Sequence, residues 1–351
     1  MSDLDALLAR IAPPDETARA ACRRKLDLKT KPRGSLGRLE DLAAQVAALA
    51  GLPSPQVPEA AIVVAAGDHG VAAEGVSAYP AEVTAQMVAN FAAGGAAVNV
   101  LAREARARLV LVDAGVAVPT PAPTVRALRL GPGTANMALG PAMPVAFVEE
   151  GVLAGAELAR ELAAGGVGLV GIGEMGIANS TSAAALSASL LGVDPAAVTG
   201  AGTGLDASGI EHKVEVIRRA LAANPGATEG PLEALAALGG FELAVLTGVV
   251  LGCAAERVPV VLDGFITGAA ALVAARLAPD AVAAMIAAHR SPEPGHALVL
   301  DALGLEPLFD LRMRLGEGSG AALAIPVVRS ALVLLNEMAS FESAGVTDAG
   351  R

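Results

Sequence analysis

The stretch Ala61-Ile62-Val63-Val64-Ala65-Ala66-Gly67-Asp68-His69-Gly70 joins an apolar run to a polar loop bounded by glycines. A short and fully apolar run predicts a strand that is buried on both faces, as in a parallel sheet. The glycines predict a sharp turn where the chain leaves that strand. We therefore expect polar side chains to be presented at the carboxyl end of the strand, where parallel sheets bind ligands.

The same succession of apolar run, glycine-containing loop and helical pattern recurs along the chain. The further runs are Leu109–Val112, Val167–Val170 and Val258–Leu262. Their alternation with helices predicts an α/β fold with one parallel sheet covered by helices on both faces. We expect this α/β core at residues 56–305, and a small helical domain built from both chain ends, residues 1–50 and 306–351, within one module.

Composition limits the class of protein. The chain has 351 residues, of which 54% are hydrophobic and 2% aromatic, so alanine, valine and leucine fill the core. Its apolar stretches are interrupted, since Phe241–Ala255 runs into charged residues and Ala321–Leu335 contains Pro326 and Arg329, and this predicts no membrane span. Asp3 and Asp5 lie where a signal peptide needs positive charge. We expect a cytoplasmic protein.

The metal-binding and redox-active residue types form no known pattern. Cys22 and Cys253 are isolated thiols, and the four histidines include no HExxH motif. Neither a disulfide framework nor a metal site is indicated, and we expect no metal and no cofactor. The net charge of −11 disfavours nucleic acid as a partner.

Gly171-Ile172-Gly173-Glu174-Met175-Gly176 matches the dinucleotide fingerprint and leaves an NAD-dependent oxidoreductase open as an alternative. Two features count against it: no apolar strand precedes the following acid, Asp194, and Glu174 would repel a pyrophosphate. The turn suits a single phosphate held at a helix N-terminus better. The residues predicted to hold it are Gly173, Gly176, Asn179, Ser180, Thr181 and Ser182.

A second glycine-rich loop, Thr199–Asp206, exposes backbone donors because alternate residues from Gly200 to Gly204 lack side chains. Lys213 follows at the start of the predicted helix Glu211–Leu221 and could add a point charge to the same phosphate, with Gly202 beside it. A lone helix lysine is also compatible with simple solvation.

The stretch Leu315-Gly316-Glu317-Gly318-Ser319-Gly320 holds a carboxylate on a glycine hairpin before the helical run Ala321–Leu335. A carboxylate presented in this way could remove a proton from a ring nitrogen. Taken alone, the same pattern also fits a solvated turn glutamate.

Together these stretches resemble the nicotinate-nucleotide–dimethylbenzimidazole phosphoribosyltransferase family, over nearly the whole chain. So many motifs in the same order make the resemblance specific. They are Lys31–Gly37, Gly67–Val71, Glu82–Thr84, Gln86–Val88, Phe91, Gly94–Ala97, Gly133–Met137, Gly171–Thr181, Thr199–Gly204, Leu262–Phe265 and Gly316–Gly320.

The resemblance implies a homodimeric α/β enzyme of cobalamin lower-ligand biosynthesis. It implies transfer of 5-phosphoribose from nicotinate mononucleotide to 5,6-dimethylbenzimidazole, giving α-ribazole 5′-phosphate and nicotinate. It assigns the general base to Glu317, and Glu174 is the second choice for that role. Tyr79 and Gln86 would line the benzimidazole pocket. A nucleotide-binding protein without catalytic activity is a third possibility, which an assay for turnover would exclude.

Overall fold

The computed structural model describes residues 2–120 and 122–347. The predicted terminal helical domain extends to residue 351, so its residues 348–351 lie outside this part. The strands are β1 (Glu59–Gly67), β2 (Ala107–Gly115), β3 (Val125–Ala127), β4 (Val167–Met175), β5 (Val260–Leu262) and β6 (Met285–Ala287).

The strands form one six-stranded sheet in the order β3-β2-β1-β4-β5-β6, and neighbouring strands pair in parallel. The predicted α/β class and parallel sheet are confirmed. Ile62 pairs with Leu109 on one side and Gly171 on the other, so β1 is a central strand. The two short edge strands, β3 and β6, were not predicted, because three residues are too few for a periodic signal.

Helices connect and cover these strands. The α-helices are α1 (Asp3–Leu8), α2 (Glu16–Asp27), α3 (Arg38–Ala50), α4 (Val83–Ala93), α5 (Ala97–Glu104), α6 (Val145–Ala164), α7 (Asn179–Leu191), α8 (Pro195–Val198), α9 (Ala207–Ala223), α10 (Pro231–Leu238), α11 (Phe241–Ala255), α12 (Phe265–Leu277), α13 (Pro294–Leu303), α14 (Ser319–Glu337) and α15 (Phe341–Ala344). Short 3₁₀ helices occur at Gly70–Glu74, Pro225–Thr228 and Pro279–Ala284.

Two hydrophobic layers cover the sheet. On one face, α6, α11 and α12 belong to the larger core cluster. A Cβ at Gly155 of α6 would lie 2.0 Å from the carbonyl oxygen of Val245 in α11, so this pair of helices crosses too closely for a larger residue. Cores built from small residues in this way explain why so few aromatic residues are needed.

The helices from both chain ends meet on the other face. Leu42 of α3 and Ile325 of α14 share a core cluster with Ile62 and Leu169 of the sheet. An isolated antiparallel bridge between Lys29 and Ser340 also joins the two ends of the chain. The amino-terminal helices α2 and α3 therefore pack against α14, the helix that begins just after Glu317.

Two helical stretches are long and apolar enough to span a membrane by length and composition: Val83–Glu104 and Ser319–Glu337. The first is divided between α4 and α5 at Gly94, whose φ is 82°. The second is α14, whose apolar residues pack in the core of the protein. The second stretch is therefore a core helix, and the break at Gly94 divides the first into helices of 11 and 8 residues, each too short to cross a bilayer.

Candidate functional site

A cavity of about 580 Å³ lies at the carboxyl ends of β4 and β5. Its walls come from the turn after β4, the segments that follow β5 and β6, the start of α14 and the glycine loop before α9. This is the edge of a parallel sheet at which ligands ordinarily bind. The lining residues are Tyr79, Val83, Met87, Glu174–Ile177, Asn179, Ser180, Gly202, Thr203, Gly264–Ile266, His289, Ser291, Glu293 and Arg314–Glu317.

Glu317 lines this cavity from a strained turn. Its φ is 63°, and the flanking Gly316 and Gly318 have φ values of 81° and 83°. The left-handed conformation is unfavourable for a residue with a Cβ, and such strain is concentrated at functional sites. Glu317 is only 7% exposed. Burial raises the pKa of its carboxyl group, and no donor among the described residues lowers it, so its carboxylate is more basic than that of a solvated glutamate.

Asp263 holds this turn in place from the end of β5. One carboxylate oxygen accepts the backbone N–H of Gly318 at 2.9 Å, and the other accepts those of Gly320 at 2.6 Å and Ala321 at 3.2 Å. These are the free N–H groups at the start of α14. Burial raises the pKa of Asp263 to about 7, against the effect of these three donors. Asp263 therefore fixes the backbone on which Glu317 is mounted.

Glu174 is the second acidic group in the cavity wall. It ends the buried part of β4, is 6% exposed, and accepts a hydrogen bond from the side-chain amide of Asn179. Burial, followed by the charge of Asp263, raises the pKa of Glu174 to about 8. At neutral pH Glu174 therefore carries a proton, whereas a general base has to be ionised.

Ser180 and Gly202 line another part of the cavity, and Lys213 lies behind them. The Lys213 ammonium donates to the Ser180 hydroxyl at 2.9 Å and lies 3.4 Å from the carbonyl oxygen of Gly200. Lys213 is 1% exposed, and burial lowers its pKa to about 8. Ser180 lies in the first turn of α7, where the helix dipole favours an anion, and its own backbone N–H donates to no carbonyl among the described residues. This side of the cavity is suited to a phosphate.

The remaining wall is largely apolar. Val83 and Met87 face the cavity from α4, Phe265 faces it from the start of α12, and Tyr79 lies at its mouth with 55% of its surface exposed. A flat aromatic ring is a suitable occupant for such a surface. The cavity thus combines an apolar region, a buried carboxylate and an anion-binding corner.

Five of the predicted site residues do not line the cavity, and they are Gln86, Thr181, Ser182, Gly173 and Lys213. Lys213 still donates a hydrogen bond to a lining residue, Ser180, whereas the Ser182 hydroxyl donates to the carbonyl oxygen of Leu238. Gln86 is exposed on α4, while its neighbours Val83 and Met87 face inward. Thr181 is fully buried, and its hydroxyl has no partner among the described residues. Gly173 lies within β4, where a Cβ would come 2.3 Å from the backbone nitrogen of Gly318. Gly173 therefore makes room for the Glu317 turn and does not cradle a phosphate.

The dinucleotide interpretation of Gly171–Gly176 is wrong. These residues were expected to form the loop after a strand at Val167–Val170, but β4 continues to Met175. Gly171 pairs with Ile62 and Gly173 with Val64, so the first two glycines of the motif belong to the sheet ladder. Without a glycine loop there is no cradle for a pyrophosphate.

Other residues around the site were not predicted to belong to it. His289, Ser291, Glu293 and Arg314 line the cavity, but they lie in irregular segments without a recognisable motif. Behind the cavity, His69 pairs with the buried Glu242 at 2.8 Å. Those two residues are 173 positions apart in the sequence, and only the strand order brings them together.

No group of three or more potential metal ligands of the His, Cys, Asp and Glu types occurs within residues 2–120 and 122–347. Among the acidic side chains that line the cavity, Glu293 accepts a backbone N–H and Glu174 accepts the side-chain amide of Asn179, while Glu317 faces the cavity. The fold and the site together define an α/β enzyme that sets a buried carboxylate in the same cavity as an anion-binding corner.

The chain belongs to the phosphoribosyltransferase family, whose model matches residues 11–346. It is 51% identical over 346 residues to the nicotinate-nucleotide–dimethylbenzimidazole phosphoribosyltransferase of Chlorobium chlorochromatii, covering 98% of both chains. It is 52% identical over 346 residues to the enzyme of the same name from Azotobacter vinelandii, again covering 98% of both chains.

The fold has a counterpart among solved structures. The crystal structure of CobT from Thermus thermophilus matches with a TM-score of 0.91 and 47% sequence identity, covering 95% of this chain and 100% of that one. The two structures therefore share nearly the whole architecture of this chain. The protein is therefore a phosphoribosyltransferase, and the expected family is confirmed.

Proposed function

We propose that this enzyme transfers 5-phosphoribose from nicotinate mononucleotide to 5,6-dimethylbenzimidazole, giving α-ribazole 5′-phosphate and nicotinate for the lower ligand of cobalamin. The observation that carries the proposal is the turn at Glu317. A buried carboxylate, held in a strained turn, lines the same cavity as Ser180 and Gly202, which Lys213 supports from behind. The relatives named above carry the name of this reaction.

The phosphate of the nucleotide would bind at the anion-binding corner formed by these three residues. Lys213 supplies a charge, Ser180 a hydroxyl, and the first turn of α7 the backbone N–H of Ser180 and the positive end of the helix dipole. Gly176 lines the same wall and leaves no room for a side chain, since a Cβ there would lie 2.3 Å from the carbonyl oxygen of Gly67. The phosphate would thereby fix the ribose, with its C1′ directed toward Glu317.

Glu317 would act as the general base. Nicotinate leaves as a neutral pyridine ring from a cationic pyridinium, so its departure needs no acid. The attacking benzimidazole nitrogen gains positive charge as it bonds to C1′, and the other ring N–H becomes acidic. Glu317 would accept that proton, a contribution worth roughly a hundred- to ten-thousand-fold in rate. Attack opposite the leaving ring inverts C1′ and gives the α-glycosidic bond.

The apolar wall would hold the benzimidazole. Tyr79, Val83, Met87 and Phe265 would contact its ring. Glu174 remains the second choice for the base, but its pKa of about 8 keeps it protonated at neutral pH. As a protonated acid it would serve better as a hydrogen-bond donor to a ligand.

We further propose that the enzyme is a cytoplasmic homodimer, as the sequence resemblance implies. The division into an α/β core at residues 56–305 and a helical part from both chain ends also stays a prediction. Separate proteolytic fragments that retain each part would support it.

The direct test is an assay with the purified protein, nicotinate mononucleotide and dimethylbenzimidazole in buffer without added metal. The proposal expects equal amounts of α-ribazole 5′-phosphate and nicotinate, separated by chromatography. Omission of dimethylbenzimidazole is the control. If neither product appears while nicotinate mononucleotide binds, the transfer reaction is refuted for this chain.

A further inference from the structure

Glu293 binds into the glycine loop at the corner of the cavity. One of its carboxylate oxygens accepts the backbone N–H of Gly202 at 2.9 Å. The other oxygen is buried without a hydrogen-bond partner among the described residues. It lies 2.2 Å from the position that a Cβ would take at Gly200, so only glycine fits there. Glu293 is also the N-cap residue of α13, yet its side chain does not cap that helix. The carboxylate is therefore turned away from its own helix and toward the loop.

The groups around this carboxylate are those expected around a phosphate. A Cβ at Gly202 would lie 2.7 Å from the Ser180 hydroxyl and 3.2 Å from the Lys213 ammonium. A backbone N–H, a hydroxyl and a buried ammonium thus converge at Gly202, and a carboxylate oxygen already takes the N–H. The Glu293 charge also acts on Lys213, where it opposes the effect of burial on the lysine pKa.

We propose that Glu293 is an internal stand-in for the phosphate of the substrate. It occupies the Gly202 N–H in the absence of substrate, keeps the loop and Lys213 in position, and gives up that N–H when phosphate binds. This inference rests on the proposed function, which places the phosphate at this corner. Glu293 is a positioning residue, since it acts through the loop and through Lys213.

The physical reason is competition between like charges. A phosphate dianion and a carboxylate cannot share one N–H and one ammonium without strong repulsion. The partnerless second oxygen shows that Glu293 is imperfectly satisfied where it is, and a buried acceptor of that kind is costly. A phosphate that takes the Gly202 N–H would therefore release a carboxylate that is only half satisfied in its present position.

The Glu293→Gln variant separates charge from shape. Glutamine keeps an oxygen that can accept the Gly202 N–H, but it removes the negative charge that opposes phosphate. We expect the dissociation constant of inorganic phosphate, measured by calorimetry at pH 6.5 so that Lys213 stays charged, to fall roughly tenfold, since a like charge within a few ångströms no longer repels the phosphate. We expect KM for nicotinate mononucleotide to fall with it, and kcat to stay within about twofold because Glu317 is unchanged.

Glu149→Gln is the matched control, because Glu149 is an exposed carboxylate on α6 and the substitution changes net charge equally. It should alter neither constant. A purely structural role for Glu293 would raise KM in Glu293→Gln, and a role in binding ribose hydroxyls would raise KM while leaving inorganic phosphate binding unchanged. Either result overturns the proposal.

A second measurement needs no variant, in case Glu293→Gln does not fold. A crystal structure of the unaltered enzyme with inorganic phosphate should show a phosphate oxygen on the Gly202 nitrogen and the Glu293 carboxylate withdrawn from it. Retention of the Glu293 contact with phosphate bound would refute the stand-in role and leave the transfer reaction untouched. Failure of the transfer assay, with phosphate still bound at this corner, would instead refute the proposed function alone.

Discussion

Asp263→Asn should separate the positioning of the base from the binding of substrate. In the structure, one carboxylate oxygen of Asp263 accepts the backbone N–H groups of Gly320 and Ala321, and the other accepts the backbone N–H of Gly318. Asparagine can keep its carbonyl oxygen on the first pair, but its amide then points N–H groups at the N–H of Gly318. The variant loses one charge-assisted hydrogen bond and leaves a buried donor unsatisfied.

The expected size follows from those two losses. A hydrogen bond to a charged group contributes about 1.5–3 kcal/mol, and an unsatisfied buried donor costs about 1–3 kcal/mol. The free energy of unfolding should therefore fall by about 2.5–6 kcal/mol. The left-handed conformation of Glu317, itself worth about 1–3 kcal/mol of strain, loses the contact that maintains it. If about 3 kcal/mol of transition-state stabilisation is lost as the turn relaxes, kcat falls roughly a hundredfold.

The assay is steady-state kinetics alongside equilibrium unfolding in denaturant and calorimetric titration of nicotinate mononucleotide. Binding of the nucleotide should change little, because Ser180, Gly202 and Lys213 are unaltered. The control is Asp280→Asn, the same chemical change at an exposed residue in the 3₁₀ helix Pro279–Ala284. A variant that keeps kcat within twofold of the unaltered enzyme would refute the positioning role of Asp263.

Two further predictions concern the turn and the ammonium. Gly318→Ala should lower the free energy of unfolding more than Gly345→Ala does, and only Gly318→Ala should reduce kcat. Both glycines have positive φ, so alanine is strained at either position. A Cβ at Gly318 would also lie 3.0 Å from Ile62, whereas a Cβ at Gly345 would meet nothing within 4 Å. Equal losses in unfolding free energy would contradict this packing argument. The pKa of Lys213 is lowered to about 8, and only its charged form attracts phosphate, so KM for nicotinate mononucleotide should rise as pH increases through 8. Lys213→Met should raise KM at pH 7 and abolish the further rise above pH 8. If KM of the variant still rises above pH 8, the titration belongs to another group.

Four of the six strands were predictable because each contains a short apolar run that is followed by a glycine-containing loop or turn. The strand ends were less predictable: β4 extends beyond Val170 because Gly171 and Gly173 fit a close-packed interior position, where glycine ordinarily suggests a loop. This single difference converts a phosphate-loop motif into a space for the Glu317 turn.

The site was predictable where the sequence held an unusual local pattern, as at Glu317 between two glycines. Gln86 was predicted to face the pocket, but the face of α4 that lines it carries Val83 and Met87. Asp263 lies in one of the motifs of the resemblance, but neither its role nor that of Glu293 was predictable, because their partners lie 55 and 91 residues away along the chain. Only the strand order and the packing of α14 and α13 bring those partners together.

The most direct test of the central claim, that Glu317 deprotonates the attacking ring, is the kcat of Glu317→Gln with nicotinate mononucleotide and dimethylbenzimidazole at saturation. We expect kcat to fall at least a hundredfold while calorimetry shows unchanged nucleotide binding, since glutamine matches the shape of glutamate but cannot accept the proton. Near-normal turnover in Glu317→Gln, together with a large loss in Glu174→Gln, would contradict the assignment and give the role of base to Glu174.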